Sequence, residues 1–339
     1  MEVSLKSRYY SVEESLAIGL KEAELQKIRP NWSEVPSDLP GIPFTFLCSS
    51  NDTQLDLSFI GGGSSESALE AKVKALYESL EWNIQHRVTG LVSADVDWTG
   101  LGTGANLEEA ILHGIGEWVE RDGYALFLLR TFVKKAPDKP HFISRVSLPP
   151  EILKLLLAVE TKFNDSLVII GLTTDLGVPA FLTAFTQQTS FIQPMGFGAS
   201  LNKVEAIRQS IYEAVQARAR HSEQVDEHRK KQFDLLGQRK HFQDAFRCDL
   251  LPIMKAGRYN EMSWMDIPDH FTLPTLSNQI DFFKSLFERH GLALSVETLF
   301  TGDTGLSVVQ VKILGLETFY RIKEGRFTPL TARGLRVLS

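Results

Sequence analysis

Cysteine and long apolar runs are scarce in this 339-residue sequence, and each scarcity excludes a class of protein. The two cysteines, Cys48 and Cys248, lie far apart and form no Cys-x-x-Cys pair, which excludes a disulfide scaffold and indicates a reducing compartment. No apolar stretch reaches the roughly 18 residues of a membrane-spanning helix. The N-terminal residues also lack the basic region and apolar run of a signal peptide. We therefore expect a cytoplasmic protein without a membrane partner.

Positive charge is also in short supply, because 36 Lys and Arg residues against 42 Asp and Glu residues give a formal net charge of −6. The densest basic run, His228–Gln232, is typical of a solvated helix face. No face or tail collects enough basic residues to bind a nucleic-acid backbone. We therefore expect no nucleic-acid partner.

Motifs of several familiar enzyme classes are missing. Zinc has no support, because His-Glu-x-x-His and Cys-x-x-Cys spacings are absent. The P-loop and serine hydrolase motifs are absent as well, and Gly196 and Gly198 lack the rest of a dinucleotide-binding fingerprint. Gly61–Gly63 precede a predicted helix, where their backbone N–H groups could approach a phosphate or the glycines could simply form a turn.

Helical and strand-like patterns are mixed along the chain without strict strand–helix–strand alternation. Strands are predicted at 42–48, 54–60, 166–175, 178–188, 191–198, 293–300 and 306–314. Helices are predicted from 64 or 65 to 85, from 107 past 130, at 150–161, from about 202, and at 280–289, with a short loop at 95–105. This mixture predicts an α+β fold with one mixed or antiparallel sheet backed by helices.

The stretch Leu107–Gly123 predicts an amphipathic helix with an unusual polar side. Its apolar residues recur with a 3.6-residue period, and they are Leu107, Ile111, Ile115, Trp118 and Val119. A second set lies together on the opposite side, and it comprises Glu109, His113, Glu117 and Glu120. Gly114 and Gly116 each cost about 1 kcal/mol relative to alanine. Their presence indicates that another element or a ligand passes close to the helix.

Pairs of oxygen-bearing side chains three positions apart occur on three predicted helices. The pairs are Glu78 with Glu81, Glu117 with Glu120, and Glu213 with Gln216. Residues at i and i+3 point the same way from a helix, and any single pair is typical of a solvated helix face. Three converging pairs would concentrate negative charge that a cation must offset, and Mg²⁺ bound with nucleotide phosphates is the usual oxygen-bound candidate. Arg121 is also placed to pair with Glu117 at i, i+4.

Three segments, taken in order, resemble the helices of the YcaO superfamily. They are ALYESLEW at 75–82, GTGANLEEAILHGIGEWVERD at 102–122 and GFGASLNKVEAIRQSIYEAVQAR at 196–218. The strand pair at 166–185 and the late segment at 306–317 also look like family counterparts, so the resemblance covers about 42–317. It implies a single YcaO-like domain over 1–339, with a short N-terminal helical region at 1–41.

The resemblance implies an enzyme that uses ATP and Mg²⁺ to activate peptide backbone amides. In the family, ATP phosphorylates the amide oxygen after a nucleophile adds to the carbonyl carbon; a Cys, Ser or Thr side chain gives an azoline, sulfide gives a thioamide, and an amine gives an amidine. Carried over by position, the Mg²⁺ and nucleotide ligands are Glu78, Glu81, Glu109, Glu117, Glu120 and Glu213. The further nucleotide or phosphate contacts are Gln216, Arg121 and Arg218.

Three positions depart from the family pattern. Lys74 stands where Ser is common, Trp82 stands where many members have Arg, and Ala105 stands where Asn is often found. A Lys beside the carboxylates could neutralise charge that a metal would otherwise offset. The alternatives are therefore a pseudoenzyme, which keeps the YcaO scaffold to bind a peptide or partner without ATP chemistry, and an unrelated α+β protein with solvated acidic helix faces.

The C-terminal sequence Val-Leu-Ser lacks the Pro-x-Pro-x-Pro ending common in azoline-forming members, which favours the thioamide-type group that often works with a TfuA protein. The region before the first predicted strand is short for a leader-peptide recognition domain. We therefore expect a partner protein, TfuA-like or ubiquitin-activating-like, to deliver peptide or sulfur. The resemblance also implies a precursor peptide or protein as substrate, and a homodimer.

Overall fold

The computed structural model describes residues 9–35, 43–52, 57–90, 97–270 and 273–339. The chain forms two compact units. Unit 1 comprises the residues up to Trp118 together with His270–Leu314, and unit 2 comprises Val119–Asp269 together with Gly315–Ser339. The single YcaO-like domain over 1–339 stays a prediction. The predicted element boundaries at 42, 54 and 95 lie outside the described residues.

Helices and strands follow one another along the described chain without strict alternation. In chain order they are α1 (Val12–Leu25), β1 (Ile28–Glu34), β2 (Phe44–Asp52), β3 (Leu57–Ser65), α2 (Ala68–Thr89), β4 (Leu101–Gly104), α3 (Leu107–Leu128), β5 (His141–Ile143), α4 (Pro150–Phe163), β6 (Leu167–Gly171), β7 (Ala180–Phe185), β8 (Met195–Ala199), α5 (Lys203–Ala219), α6 (Glu223–Asp234), α7 (Lys240–Arg247), α8 (Leu251–Lys255), β9 (Asn260–Met262), α9 (Leu276–Arg289), β10 (Ala293–Thr301), β11 (Ser307–Leu314) and α10 (Ala332–Leu338).

Unit 1 contains two antiparallel sheets of three strands in its described part, with the orders β1-β2-β3 and β10-β11-β4. Helix α2 packs on β2 and β3. Its apolar side is the centre of the unit's core, because Leu76, Leu80 and Ile84 are at most 2% exposed. The predicted 3.6-residue pattern of this helix therefore corresponds to its buried face.

Unit 2 contains a five-stranded sheet with the order β8-β7-β6-β5-β9. Its neighbouring strands are antiparallel except β5 and β9, which are parallel, so the sheet is mixed. All six residues of β7 are buried, as expected for a strand in the interior of a sheet that helix α5 covers. The predicted α+β fold with mixed or antiparallel strands backed by helices is confirmed, although the described residues form three sheets and the prediction was of one.

Local predictions were most accurate in the middle of the chain. Helix α4 begins at Pro150 as predicted, β6 and β7 lie within the two predicted strands, and Asn202 is the N-cap of α5. Its side-chain oxygen accepts hydrogen bonds from the N–H groups of Val204 and Glu205, which satisfies otherwise unpaired donors of the first turn.

Three local predictions are also wrong. Gly61–Gly63 do not form a turn, because they lie within strand β3. The predicted loop at 95–105 contains strand β4, which pairs with β11. Leu107, assigned to the apolar stripe of α3, is 41% exposed because it stands at the first residue of the helix. In the described part of the chain, no helix is both long enough and apolar enough to cross a membrane.

A lysine is largely buried in unit 2, and we expect it to make stability depend on pH. The Lys323 ammonium donates a hydrogen bond to the carbonyl of Phe246, and burial lowers its pKa to about 8. In the unfolded chain the same group keeps its proton up to about pH 10.4. Between these values the unfolded state binds more protons, so the free energy of unfolding rises with pH, by on the order of 2 kcal/mol.

The variant Lys323→Met is expected to remove this rise. Urea unfolding of wild type and variant at pH 7, 8.5 and 10 measures it, with Lys240→Met at an exposed site as the control. The difference in stability between wild type and Lys323→Met should change with pH, and that between wild type and Lys240→Met should not. A constant difference for Lys323→Met would contradict the lowered pKa.

Candidate functional site

Three strand–helix pairs share one residue spacing, namely β3 with α2, β4 with α3, and β8 with α5. Each contains two glycines on the strand or immediately before it, a Ser or Asn before the helix, and two oxygen-bearing residues on the helix, at identical intervals. The three sets are Gly61, Gly63, Ser67, Glu78 and Glu81; Gly100, Gly102, Asn106, Glu117 and Glu120; and Gly196, Gly198, Asn202, Glu213 and Gln216. The predicted pairs of oxygen-bearing residues therefore belong to a strand–helix unit that occurs three times.

The glycines of these units bring the strand backbone against the helix backbone. A Cβ atom on the second glycine of each set would lie within 3.0 Å of a carbonyl oxygen of the helix. The contacts pair Gly63 with Ala71, Gly102 with Ala110, and Gly198 with Ala206. On α3, a Cβ atom on Gly114 would lie 2.6 Å from the carbonyl oxygen of Gly100. Gly114 therefore makes room for the segment that leads into strand β4. What passes close to α3 at this glycine is another element of the protein and not a ligand.

Close approach allows a backbone N–H on each strand, or immediately before it, to donate a hydrogen bond to the first glutamate of the helix that follows. The bonds run from Gly62 N to Glu78 Oε2 at 2.8 Å, from Gly100 N to Glu117 Oε2 at 2.8 Å, and from Phe197 N to Glu213 Oε2 at 3.1 Å. A hydrogen bond from a backbone N–H to a carboxylate is charge-assisted, and it fixes the orientation of the acceptor. Each strand therefore orients one carboxylate of the helix that follows it.

Glu81 is the most perturbed carboxyl group of unit 1. Its side chain is 6% exposed, and burial raises its pKa well above the ordinary range. The negative charges of Glu117 and Glu78 raise this pKa further. Within the described residues, its Oε2 atom has no hydrogen-bond partner. The structure thus places buried Glu81 near half-buried Glu78 and Glu117, and this concentration of carboxylates costs free energy unless a proton or a cation offsets the charge.

The acidic group of unit 1 fits a magnesium ion that is shared with a nucleotide. No three His, Cys, Asp or Glu side chains of the described chain form a complete metal site by themselves. Mg²⁺ in nucleotide sites usually takes one or two carboxylates, while phosphates and water supply its other oxygens. The unpartnered Oε2 of Glu81, beside Glu78 and Glu117, provides oxygen donors of this kind.

In unit 2, Glu120 and Arg121 occupy neighbouring positions on α3. Glu120 is 5% exposed. The guanidinium carbon of Arg121 lies 5.7 Å from the centroid of the Phe197 ring and 5.4 Å from that of Tyr320. Both distances are in the range of cation–π attraction, which holds a planar guanidinium over aromatic faces. Arg121 is therefore held in place by two aromatic side chains.

The other predicted residues of unit 2 lie on α5. Gln216 is half-buried, and Glu213 is oriented by β8 as described. Arg218 donates a hydrogen bond to the hydroxyl of Thr189, approaches Asp165 to 3.8 Å, and lies 5.3 Å from the ring centroid of Phe185. These contacts hold Arg218 against its own unit, and its phosphate contact stays a prediction.

Glu109 caps the N-terminus of α3. Its Oε1 accepts a hydrogen bond from the N–H of Tyr9 at 2.6 Å, and its Oε2 accepts one from the N–H of Ala105 at 3.0 Å. The Asn106 side chain accepts a hydrogen bond from the Glu109 N–H at 2.9 Å, completing a capping arrangement. Glu109 lies about 12 Å along the helix from Glu117. The structure thus shows Glu109 in a capping role, and its predicted role as a ligand is untested.

The three departures from the family pattern have local contacts. Lys74 forms an ion pair with Glu70 at 3.2 Å, one turn earlier on α2. Trp82 packs against the hydrophobic core of unit 1. The N–H of Ala105 donates a hydrogen bond to the Glu109 side chain. Each departure therefore has a structural contact of its own.

A cavity of about 410 Å³ lies beside the C-terminal half of α3 in unit 2. One of its lining residues is Gly123, which lies about one helical turn beyond Glu120 on α3. Its buried floor includes Phe127 and Leu172, and its exposed rim includes His141. Its lining combines apolar and polar side chains. Sequence patterns did not predict this cavity, because its lining residues come from separate segments of the chain.

Comparisons with known proteins identify the family. A model of the YcaO cyclodehydratase family, described as ATP- and Mg²⁺-binding, matches residues 84–317. An uncharacterised protein in the tfuA 3′ region of Rhizobium leguminosarum bv. trifolii is 36% identical over 85 residues. That match covers 24% of this chain and 19% of the relative, so this chain spans only a small part of it.

Two solved structures share the fold. A YcaO protein from Methanopyrus kandleri, bound with AMPPCP and Mg²⁺, is 17% identical with a TM-score of 0.70, and the match covers 96% of both chains. A heterocyclase in complex with substrate and cofactor is 17% identical with a TM-score of 0.65, over 93% of this chain and 55% of that one. With the family model matching more than half of its length, the chain belongs to the YcaO cyclodehydratase family, which binds ATP and Mg²⁺.

Proposed function

We propose that the chain activates backbone amides of a ribosomally made precursor peptide or protein by phosphorylating the amide oxygen. The observation that carries this proposal is the strand–helix unit that occurs three times and orients one carboxylate in each copy. When bound, Mg-ATP supplies the phosphoryl group that turns a poor leaving oxygen into a good one. After the nucleophile has added to the carbonyl carbon, that oxygen leaves as inorganic phosphate, which completes the replacement of oxygen by sulfur or by a side-chain nucleophile.

The proposed ligands follow the order of the three helices. Carboxylates bind Mg²⁺ and the nucleotide, and these are Glu78, Glu81, Glu109, Glu117, Glu120 and Glu213. Phosphate oxygens are bound by Arg121 and Arg218, with Gln216 assisting. Buried Glu81 supports this assignment, because an acidic group that is costly in the absence of a cation becomes favourable when Mg²⁺ binds.

Sulfide is the nucleophile we propose, which gives a thioamide. The similarity to a protein in the tfuA 3′ region supports a TfuA-like partner, which would deliver sulfur or peptide. Azoline formation, with a ubiquitin-activating-like partner, is the other outcome of the same amide activation. We further propose a cytoplasmic homodimer, with the cavity beside Gly123 taking part of the substrate peptide.

Glu120→Gln is expected to abolish Mg-dependent ATP binding. The substitution keeps the size of the buried side chain and removes the charge that binds the ion. Calorimetric titration of Mg-ATP, with EDTA in a parallel titration, measures the effect, and Glu151→Gln at an exposed position of α4 is the matched control. Binding that survives in Glu120→Gln would contradict its assignment as a ligand.

A scaffold without ATP chemistry is the second candidate, and one observation favours it. Lys74, Trp82 and Ala105 depart from the family pattern near the proposed ligands. Such a scaffold would bind its peptide or partner but not Mg-ATP. Absence of Mg-ATP binding to wild type, with and without the partner, would therefore replace the enzyme by the scaffold.

A further inference from the structure

The C-terminal segment of unit 2, Gly315–Ser339, contacts α3 immediately after Glu120. Most of this segment lies beyond residue 317, where the match to the family model ends. Its contacts fall on two consecutive residues of α3, Arg121 and Asp122. Because Glu120 and Arg121 are proposed to bind the nucleotide, the segment is placed to affect both.

Arg333 anchors the segment on Asp122. Its Nε and Nη2 atoms donate hydrogen bonds to the two carboxylate oxygens of Asp122, at 3.0 and 2.8 Å. Its Nη1 and Nη2 atoms also donate to Asp175, at 3.0 and 2.5 Å. Arg333 is 5% exposed and Asp122 is 0% exposed. Bidentate pairing of this kind fixes both direction and distance, so the guanidinium holds α10 and α3 in one arrangement.

Glu317 closes the other end of the segment. Its N–H donates to Asp122 Oδ1 at 2.9 Å, which adds a third bond between the segment and this carboxylate. The Glu317 side chain accepts hydrogen bonds from the Thr331 N–H at 3.0 Å and the Thr331 hydroxyl at 2.9 Å. The segment is therefore tied to itself and to Asp122 at both ends.

Between these ends, the segment places Tyr320 on Arg121. The ring centroid of Tyr320 lies 5.4 Å from the guanidinium carbon, and Phe197 of β8 lies 5.7 Å from the same atom. A guanidinium within cation–π distance of two aromatic rings has less rotational freedom before any ligand arrives. Pre-organisation of this kind reduces the entropy lost on binding.

We propose that the segment Gly315–Ser339 is a positioning element for the nucleotide site, in which Arg333 fixes the segment on Asp122 and Tyr320 fixes Arg121 toward a phosphate. This inference rests on the proposed function, because it concerns the affinity for Mg-ATP. Tyr320 and Arg333 act through Arg121 and Asp122, and neither touches the nucleotide.

Titration with Mg²⁺ and the non-hydrolysable analogue AMPPCP tests the inference on the full chain. Tyr320→Leu removes the aromatic face and is expected to raise Kd about fivefold, whereas Tyr320→Phe keeps the face and should bind within about twofold of wild type. Arg333→Met is expected to raise Kd about tenfold, and Arg333→Lys should recover part of the loss.

Arg145→Met is the matched control for Arg333→Met. Arg145 lies in the same unit and makes a bidentate pair with Glu160 of α4, at 2.8 and 2.7 Å. Its replacement should leave Kd unchanged. Calorimetry also separates positioning from unfolding, because a partly unfolded sample lowers the number of sites per chain, while lost positioning raises Kd with that number unchanged.

The outcomes distinguish this inference from the proposed function. Wild-type binding with unchanged Kd in Tyr320→Leu and in folded Arg333→Met would overturn the positioning role alone. If Arg333→Met does not fold, the comparison of Kd between Tyr320→Leu and Tyr320→Phe tests the positioning role. Absence of binding in wild type would overturn the proposed function and the inference with it.

Discussion

Replacing Glu81 with glutamine is expected to stabilise the nucleotide-free protein at pH 8 and to abolish Mg-ATP binding. These opposite effects have one cause. Burial and the neighbouring charges of Glu117 and Glu78 make the ionised form of Glu81 costly in the folded chain. Glutamine keeps the shape without the charge, so the cost disappears, and the oxygen donor that Mg²⁺ needs is weakened with it.

The pH dependence of this effect has a definite sign. The folded chain holds the Glu81 proton to a higher pH than the unfolded chain, whose carboxyl groups titrate near pH 4.3. Above that value the folded state binds more protons, so the group's contribution to the free energy of unfolding falls as pH rises. The advantage of Glu81→Gln over wild type should therefore grow from pH 5 to pH 8.

Thermal and urea unfolding at pH 5 and pH 8, without Mg²⁺ or nucleotide, measures the stability difference, and calorimetry measures Mg-ATP binding. Glu151→Gln, on an exposed site of α4, controls for the general effect of removing one negative charge. Saturating Mg-ATP should stabilise wild type and leave Glu81→Gln unchanged. A Glu81→Gln variant that is less stable than wild type at pH 8, yet binds Mg-ATP, would contradict both the cost of ionised Glu81 and its role as a ligand.

Local patterns were sufficient where an element's boundaries depend on its own residues. Helix α5 was predicted from its apolar period, and Asn202 caps it because the side-chain oxygen satisfies N–H groups of the first turn. Strands β6 and β7 were predicted from apolar runs bounded by turn residues. None of these features requires a contact with a distant part of the chain.

Tertiary contacts determined what the patterns missed. Three successive glycines favour a turn, but Gly61–Gly63 are extended, because glycine is what allows β3 to lie against the backbone of α2. Strand β4 forms by pairing with β11, which lies about two hundred residues later. Asp122 and Arg333 are similarly distant, and no periodicity links them.

The candidate site was predictable in its residues but not in its geometry. Spacing of i and i+3 predicted that Glu117 and Glu120 point the same way from α3. It could not show that the N–H of Gly100 would orient Glu117, or that Glu109 would cap the helix. The identical intervals in the three strand–helix units are visible in the sequence, and a search for internal repeats would have found them.

Gly196→Ala is expected to destabilise the protein by about 2–4 kcal/mol, because the added methyl group has no space. A Cβ atom there would lie within 3.0 Å of the Ser210 carbonyl oxygen and the Ala214 nitrogen, both in the backbone of α5. Only a shift of the whole helix relieves this overlap, and such a shift would stretch the bond from Phe197 N to Glu213. The surviving folded protein should therefore also bind Mg-ATP more weakly.

Gly171→Ala is the matched control, since both glycines lie on strands of the same sheet. A Cβ atom on Gly171 would lie 3.5 Å from Ile143 Cδ1 and from Met262 Sδ, which is ordinary contact. Its substitution should change stability by less than about 1 kcal/mol. Urea unfolding compares the two variants, and calorimetry compares their affinities for Mg-ATP. Equal stabilities would show that β8 and α5 can separate without cost, and the packing argument for all three strand–helix units would fail.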